Sequence, residues 1–276
     1  MKKIDSRELL QKLPPLTKES NKYSFGHVVI IGGNVGYAGA VKLCAQAALR
    51  SGSGLVTVLT RQENVSSIVS TRAELMVRGF DTQTSGINQA RPILEKADAI
   101  VIGPGLGRDE WANHICSMIE DFTAPKVLDA DALWNLCQRS EKQRYQNAII
   151  TPHFGEAARL LNCTSEEIRK DKKEAAKSLL QISECVVLKG DHSLIANDQD
   201  IYENDTGNSI LAMAGTGDIL AGIIGSFLGQ GLSLTEATCL GTWVHGKASD
   251  LLRENTRGIR GSIASDLFPY IQEVIG

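Results

Sequence analysis

The chain has 276 residues, 42% of them hydrophobic, with 29 Lys+Arg against 32 Asp+Glu and a formal net charge of −3. That is the composition of an ordinary globular protein with apolar material enough for a sizeable core. A broad electrostatic grip on nucleic-acid phosphates needs a basic surplus that is absent here, so no nucleic-acid partner is expected.

Asp5 stands three residues before Glu8 and predicts a capped helix over 5–13. Asp5, Arg7 and Glu8 also interrupt what an export signal would need as an apolar core, so none is expected. The β-branched run His27–Ile31 suits a strand buried on both faces. Residues 38–51 have helical composition, and 55–60 read as the next strand. Strand patterns return at 99–102, 127–129, 148–151 and 186–189, with helical stretches between most of them. Segments 192–196 and 200–203, separated by Asn197-Asp198-Gln199, predict a β-hairpin. Helices at 218–228, 234–252 and 263–275 complete the chain. The charge-free stretch 219–235 is broken by Gly222, Gly225, Gly229 and Gly231, so it reads as a buried helix and a turn, not a membrane span. The alternation predicts an α/β fold, a mostly parallel central sheet with helices on both faces. With no linker and no internal repeat, residues 1–276 are expected to form one domain. Six cysteines without a CxxC pair point to reduced, mostly buried thiols of a cytoplasmic protein, with no zinc site.

Ligands of such sheets meet the carboxyl ends of the strands, and that is where this chain concentrates its glycines and polar side chains. Gly32-Gly33 follows one strand and Gly103-Pro104-Gly105-Leu106-Gly107 another. Asp129-Ala130-Asp131, Thr151-Pro152-His153 and Lys189-Gly190-Asp191 follow the others. Familiar nucleotide motifs fail. The dinucleotide fingerprint is missing because neither glycine cluster has its spacing. Gly241 to Ala248 imitates a Walker loop, but Ala248 replaces the magnesium-binding hydroxyl and the segment lies in a helical pattern. No nucleophile elbow occurs, since Ser51 takes the first glycine position before Ser53.

The strongest signal is Gly215-Thr216-Gly217-Asp218, followed by an apolar stripe at 219, 220, 223, 224, 227 and 228. Unpaired N–H groups at the start of that helix, approachable through glycine, suit a phosphate or oxyanion. Asp218 there is either a helix cap or a general base beside the phosphate. His153, three residues before Glu156, either starts a helix or contacts substrate, with Glu156 organising magnesium through water. The segment Lys189-Gly190-Asp191-His192-Ser193 is either a hairpin turn or a clamp on a nucleotide phosphate. Asp129 and Asp131 either cap the next helix or take part in catalysis. Ala38, Gly39 and Ala40 either permit tight packing or leave room for a flat ligand.

Several of these segments together resemble the ADP- or ATP-dependent NAD(P)H-hydrate dehydratases of the ribokinase-like fold. They are Phe25-Gly26-His27-Val28-Val29-Ile30, Tyr37-Ala38-Gly39-Ala40, Arg50-Ser51-Gly52-Ser53-Gly54-Leu55-Val56 and Gly103-Pro104-Gly105-Leu106-Gly107. Leu128-Asp129-Ala130-Asp131-Ala132-Leu133, Thr151-Pro152-His153-Phe154-Gly155-Glu156, Leu188-Lys189-Gly190 and Gly215-Thr216-Gly217-Asp218 continue the ordered set over nearly the whole chain. The resemblance implies a lyase that restores NADH or NADPH from the S epimer of the hydrated cofactor, by phosphorylating the ring hydroxyl and eliminating phosphate. It implies Asp218 as base, Gly215, Thr216 and Gly217 as anion hole, and Ala40, Gly107, His153 and Asp218 around the hydrated nucleotide. Lys189, Gly190, Asp191, His192, Ser193 and Gly217 would bind ADP, with Mg2+ bridging phosphates and Glu156 near its waters. ADP is the expected donor, a tetramer the expected assembly, and an NAD(P)HX epimerase the functional partner. Ala214 departs from the family, which usually has another glycine there. The rival expectations are a kinase of the same fold acting on a vitamin-precursor alcohol, and a nucleotide sensor without turnover.

Overall fold

The structure, a computed structural model, describes residues 1–70, 72–81, 84–138 and 144–276. Its first half contains β1 (Lys2–Lys3), α1 (Ser6–Gln11), β2 (His27–Ile31), α2 (Ala38–Arg50), β3 (Leu55–Thr60), α3 (Val65–Val69), β4 (Met76–Gly79), α4 (Thr84–Leu94), β5 (Ala99–Ile102) and α5 (Glu110–Met118). There follow β6 (Lys126–Leu128), α6 (Asp131–Cys137), β7 (Tyr145–Ile150), α7 (Phe154–Leu161), α8 (Ser165–Lys170), α9 (Lys172–Leu179) and β8 (Ser183–Leu188). The chain ends with β9 (Leu194–Asn197), β10 (Ile201–Glu203), α10 (Thr216–Gly229), α11 (Leu234–Asn255) and α12 (Phe268–Ile275).

The strands form a 10-stranded sheet in the order β1-β10-β9-β8-β7-β6-β5-β2-β3-β4. From β4 to β8 every neighbour is parallel, and the β8–β9–β10 end is antiparallel. Val28, Val29, Ile30 and Ile31 are all 0% exposed, as a strand covered on both faces requires. One core places α2, α10, α11 and α12 on one face, through Val41, Ile223, Leu240 and Ile271. The second places α4 to α9 on the other face, through Leu94, Ile115, Leu133, Ala157, Ile168 and Ala176. The α/β architecture, a mostly parallel sheet with helices on both faces, is therefore as the sequence led one to expect.

Helix α10 is the deepest, and its glycines mark close approaches. A methyl group on Gly222 would stand 2.2 Å from the Cys44 carbonyl oxygen, and one on Gly225 2.3 Å from Val101 Cγ2. At its far end Gly229 meets Val28 and Ala99, which lie at the amino ends of their strands. The amino end of α10 is thereby carried to the carboxyl edge of the sheet. Among the described residues no helix is long and apolar enough to cross a membrane. Among the cysteines, Cys44, Cys116, Cys185 and Cys239 are buried.

Some boundaries differ from expectation. The hairpin's first strand starts at Leu194, because His192 adopts φ 52° and ends the preceding turn. The last helix is split into a 3-10 turn, Ala264–Leu267, and α12, whose second residue is Pro269. Helix α10 starts two residues before Asp218, at Thr216.

Candidate active site

The chain runs outward from β2 to β3 and β4 and then returns to the other side of β2 with β5. Such a reversal opens a crevice at the carboxyl ends of the two central strands. The loops that follow β2 and β5 line it and are bonded together. Gly33 N donates to Pro104 O at 2.9 Å and Asn34 N to Gly105 O at 2.7 Å. A methyl on Gly105 would lie 3.1 Å from Ala40 Cβ, so the start of α2 faces the second loop. Gly107, at φ 79°, donates its N–H to Asp131 Oδ2 at 3.0 Å, and Arg108 Nε donates to Asp131 Oδ1 at 3.1 Å. Asp131 therefore fastens the loop that carries Gly107, and the residue before α6 is Ala130 at φ 48°, without a side-chain cap. The capping alternative for Asp131 is set aside.

Asp129 does not cap that helix either. It is 1% exposed and accepts hydrogen bonds from Thr151 Oγ1 at 2.7 Å and Lys189 Nζ at 2.7 Å. The Lys189 ammonium also lies 4.0 Å from Glu156 Oε2. Burial opposes its charge, but the carboxylates of Asp129 and Glu156 outweigh burial and hold it above the usual lysine value. The start of α10 reaches the same place, since a methyl on Gly217 would stand 3.5 Å from Lys189 Nζ and 3.9 Å from Asp129 Oδ2.

Gly215 takes φ 91° as the residue before α10, and the Thr216 hydroxyl turns back to donate to Leu211 O at 2.7 Å and Met213 O at 2.9 Å. The hydroxyl is thus committed to the turn. Gly217 and Asp218, second and third in the helix, have no carbonyl one turn back for their N–H groups, which leaves two donors and the helix dipole for an anion. Ala214 is exposed ahead of this turn. Burial first, and then the nearby Asp129 carboxylate, push Asp218 up to about 7 against the opposing pull of Lys189. A carboxylate poised there can take a proton from an alcohol near neutral pH.

His153 both caps a helix and stays accessible. Its Nδ1 accepts from Gly155 N at 2.9 Å and Glu156 N at 3.2 Å, while Glu156 Oε2 accepts from His153 N at 2.8 Å. Those bonds place the proton on Nε2, and the side chain is 55% exposed. Burial and then Lys189 lower the imidazole's pKa, and burial raises that of Glu156.

The 189–193 segment is a closed turn. Lys189 N donates to Pro152 O at 2.8 Å, and Gly190 N donates to Ser193 Oγ at 3.2 Å. A methyl on Gly190 would lie 2.4 Å from the Phe154 ring, so glycine is required there. Lys189 joins Asp218 and Gly217 at the interior, whereas Asp191 and His192 stay exposed at the rim. Among the described residues no group of three His, Cys, Asp or Glu side chains is arranged to hold a metal ion. The Walker-like segment from Gly241 lies inside α11, as its helical pattern indicated. A cavity of about 620 Å3 lined by His27, Thr57, Arg78 and Lys96 opens at the amino ends of the strands, away from this site.

A mostly parallel sheet with a Gly-Thr-Gly-Asp helix start at its carboxyl edge defines a ribokinase-like protein. Within that class, the chain belongs to the NAD(P)H-hydrate dehydratase family, whose model matches residues 28–273. It is 42% identical over 277 residues to the bifunctional NAD(P)H-hydrate repair enzyme Nnr of Escherichia coli, covering 100% of this chain and 52% of that one. It is 37% identical over 261 residues to the ADP-dependent (S)-NAD(P)H-hydrate dehydratase of Neisseria meningitidis, covering 91% of this chain and 86% of that one. The structure of the ADP/ATP-dependent NAD(P)H-hydrate dehydratase of Bacillus subtilis, co-crystallised with ATP/Mg2+, matches with a TM-score of 0.87 and 28% identity, over 99% of this chain and 96% of that one. The chain spans about half the length of several bifunctional relatives it matches.

Proposed function

We propose that this chain dehydrates the S epimer of hydrated NADH or NADPH with ADP as phosphoryl donor, as a hydro-lyase of nicotinamide-nucleotide repair. The observation that carries the reading is the Asp218 carboxyl, raised to about 7 at the start of α10 beside Gly217 and the Lys189–Asp129 pair. Family membership supplies the substrate class.

Hydroxide is a poor leaving group, so the ring hydroxyl must first be made a better one. Asp218 takes the hydroxyl proton as that oxygen bonds to the terminal phosphorus of the donor, and the phosphorus–oxygen bond to the leaving nucleotide breaks. The N–H groups of Gly217 and Asp218 and the Lys189 ammonium face the charge that develops on the transferred group. The ring nitrogen's lone pair then expels phosphate, and loss of a proton from the adjacent carbon forms the double bond of the dihydronicotinamide. Ala40, Gly107 and His153 would line the hydrated ring and its nucleotide, and Gly190, Asp191, His192 and Ser193 the donor.

Magnesium fits here only as an ion carried by the donor's phosphates. Glu156 is mostly buried and shares Lys189, so it would reach the ion through water. When bound, Mg2+ neutralises phosphate charge. We read residues 1–276 as one cytoplasmic domain that assembles as a tetramer and relies on an NAD(P)HX epimerase for the other epimer. Incubation with hydrated NADH, Mg2+ and ADP should restore dihydronicotinamide absorbance. No recovery with either ADP or ATP would overturn the reading.

A further inference from the structure

Two arginines are tied to Gly107, each through one intermediary. Arg108 Nε donates to Asp131 Oδ1 at 3.1 Å, while Asp131 Oδ2 accepts from Gly107 N at 3.0 Å. Arg61 Nε donates to Asn34 Oδ1 at 3.2 Å, and Asn34 Nδ2 stands 2.5 Å from where a methyl on Gly107 would lie. Asn34 Nδ2 also donates to Leu106 O at 3.1 Å, which clasps the loop that carries Gly107.

The two guanidiniums are held by the same device. Arg108 lies over the Trp134 ring at 5.1 Å and Arg61 over the Trp111 ring at 4.7 Å. An aspartate holds each from the side, Asp131 for Arg108 at 3.1 Å and Asp109 for Arg61 at 2.9 Å. Exposed ion pairs return only about 0–1 kcal/mol, so stability alone gives little reason to restrain two long side chains in this way. Both remain reachable, Arg108 at 53% exposure and Arg61 at 26%. Among the described residues, neither Nη of Arg108 nor Nη1 of Arg61 makes a hydrogen bond. A planar fork laid on an indole with N–H groups to spare is well prepared for a phosphate, because little ordering entropy is left to lose.

Strand order sets these arginines apart from the donor segment. Lys189 follows β8, on one side of β6 and Asp129, whereas Gly107 lies beyond β5 and Arg61 follows β3, on the other side. Neighbouring strands are about 4.8 Å apart, so β3 lies roughly 14 Å from β6. A molecule with its reacting hydroxyl at Asp218 and its remainder directed away from the donor would pass Gly107 and meet both arginines.

We propose that Arg61 and Arg108 form a subsite for a phosphate group of the hydrated dinucleotide, its pyrophosphate or, in the NADPH form, its 2′-phosphate. The subsite rests on the function given above and extends the substrate pocket beyond Gly107.

The test uses Arg108→Gln and Arg61→Gln in the full chain. The readouts are melting temperature, calorimetric affinity for NADH, NADPH and ADP, and turnover of both hydrated cofactors. Each variant should lose roughly tenfold or more in affinity for NADPH, with KM for hydrated NADPH rising by a larger factor than kcat falls. A loss shared by NADH places the pyrophosphate at the arginines, and a loss confined to NADPH places the 2′-phosphate there. Affinity for ADP, held on the 189–193 side, should stay near the wild-type value. Arg108→Lys keeps the charge without the fork and should fall between wild type and Arg108→Gln. Should a Gln variant fail to fold, the Lys variant at that position carries the same comparison. A folded variant of either arginine that binds NADH and NADPH as tightly as wild type overturns the proposal. So does an equal loss of ADP affinity, the mark of a merely structural pair. Binding is measured without turnover. Wild-type protein that binds NADPH yet restores no dihydronicotinamide would sink the proposed reaction and leave the subsite decided by the variants.

Discussion

Lys189 Nζ sits 2.7 Å from Asp129 Oδ1, with side chains 19% and 2% exposed, on the side of Gly217 that a methyl group would occupy. The pair joins the ends of β6 and β8 to the start of α10. Removing one member strands the other without water. Asp129→Ala and Lys189→Met should therefore each cost about 3–5 kcal/mol, while the double variant should cost less than their sum. Urea denaturation of the three variants checks this. Additive losses would mean the two charges do not share one environment.

The pH dependence of turnover follows from Asp218. A base raised to about 7 is protonated and idle in acid, so kcat should climb with pH through that value and then level off. Asp129→Asn removes a charge that pushes Asp218 up while Lys189 continues to pull it down, so the midpoint should move to lower pH. A rate profile flat from about pH 5 to 9 would contradict Asp218 as the base.

Stability carries the opposite signature. The folded-state pKa of Asp218 is above its unfolded value of 3.8, so the folded protein holds the extra proton and loses stability as pH rises between that value and about 7. Asp218→Asn cannot be charged and escapes that loss. At pH 8 it should be the more stable protein by about 1–3 kcal/mol, with the advantage shrinking in acid, and it should bind ADP yet not turn over. Melting curves across pH test the sign, and a variant less stable than wild type at pH 8 refutes it.

What the sequence revealed and what it hid divide along physical lines. His27–Ile31, Leu55–Thr60 and Ala99–Ile102 are strands in place, because apolar runs buried on both faces leave no other pattern. β6 was seen one residue late, since Lys126 reads as a surface lysine. Its ammonium is instead buried against the carbonyls of Phe122 and Ala124. Strand β4 escaped because Arg78 and Gly79 dilute it, and β1 because two exposed lysines carry no burial signal. At the site, the glycine-led turn before Asp218 was legible from local spacing. The partnership of Asp129, Thr151 and Lys189 was not, as it joins residues 22 and 60 positions apart.

Two neighbouring glycines of the anion-binding turn separate chemistry from folding. Gly215 adopts φ 91°, and a methyl group there would lie 2.5 Å from Leu43 Cδ1 and 3.3 Å from Ala264 Cβ. Gly215→Ala should therefore lose about 1–3 kcal/mol of stability through backbone strain and collision. Gly217 has an ordinary helical backbone, and its methyl would find nothing closer than Lys189 Nζ at 3.5 Å. By helix propensity alone, Gly217→Ala should gain up to about 1 kcal/mol. Yet that methyl group fills the space where a phosphoryl oxygen would approach the N–H groups and the ammonium, so turnover should fall by roughly 100-fold or more. A Gly217→Ala protein that melts as late as wild type and loses phosphate affinity would locate the anion there. Wild-type turnover in that variant would move the phosphoryl group away from the start of α10, and Asp218 would lose its claim as the base.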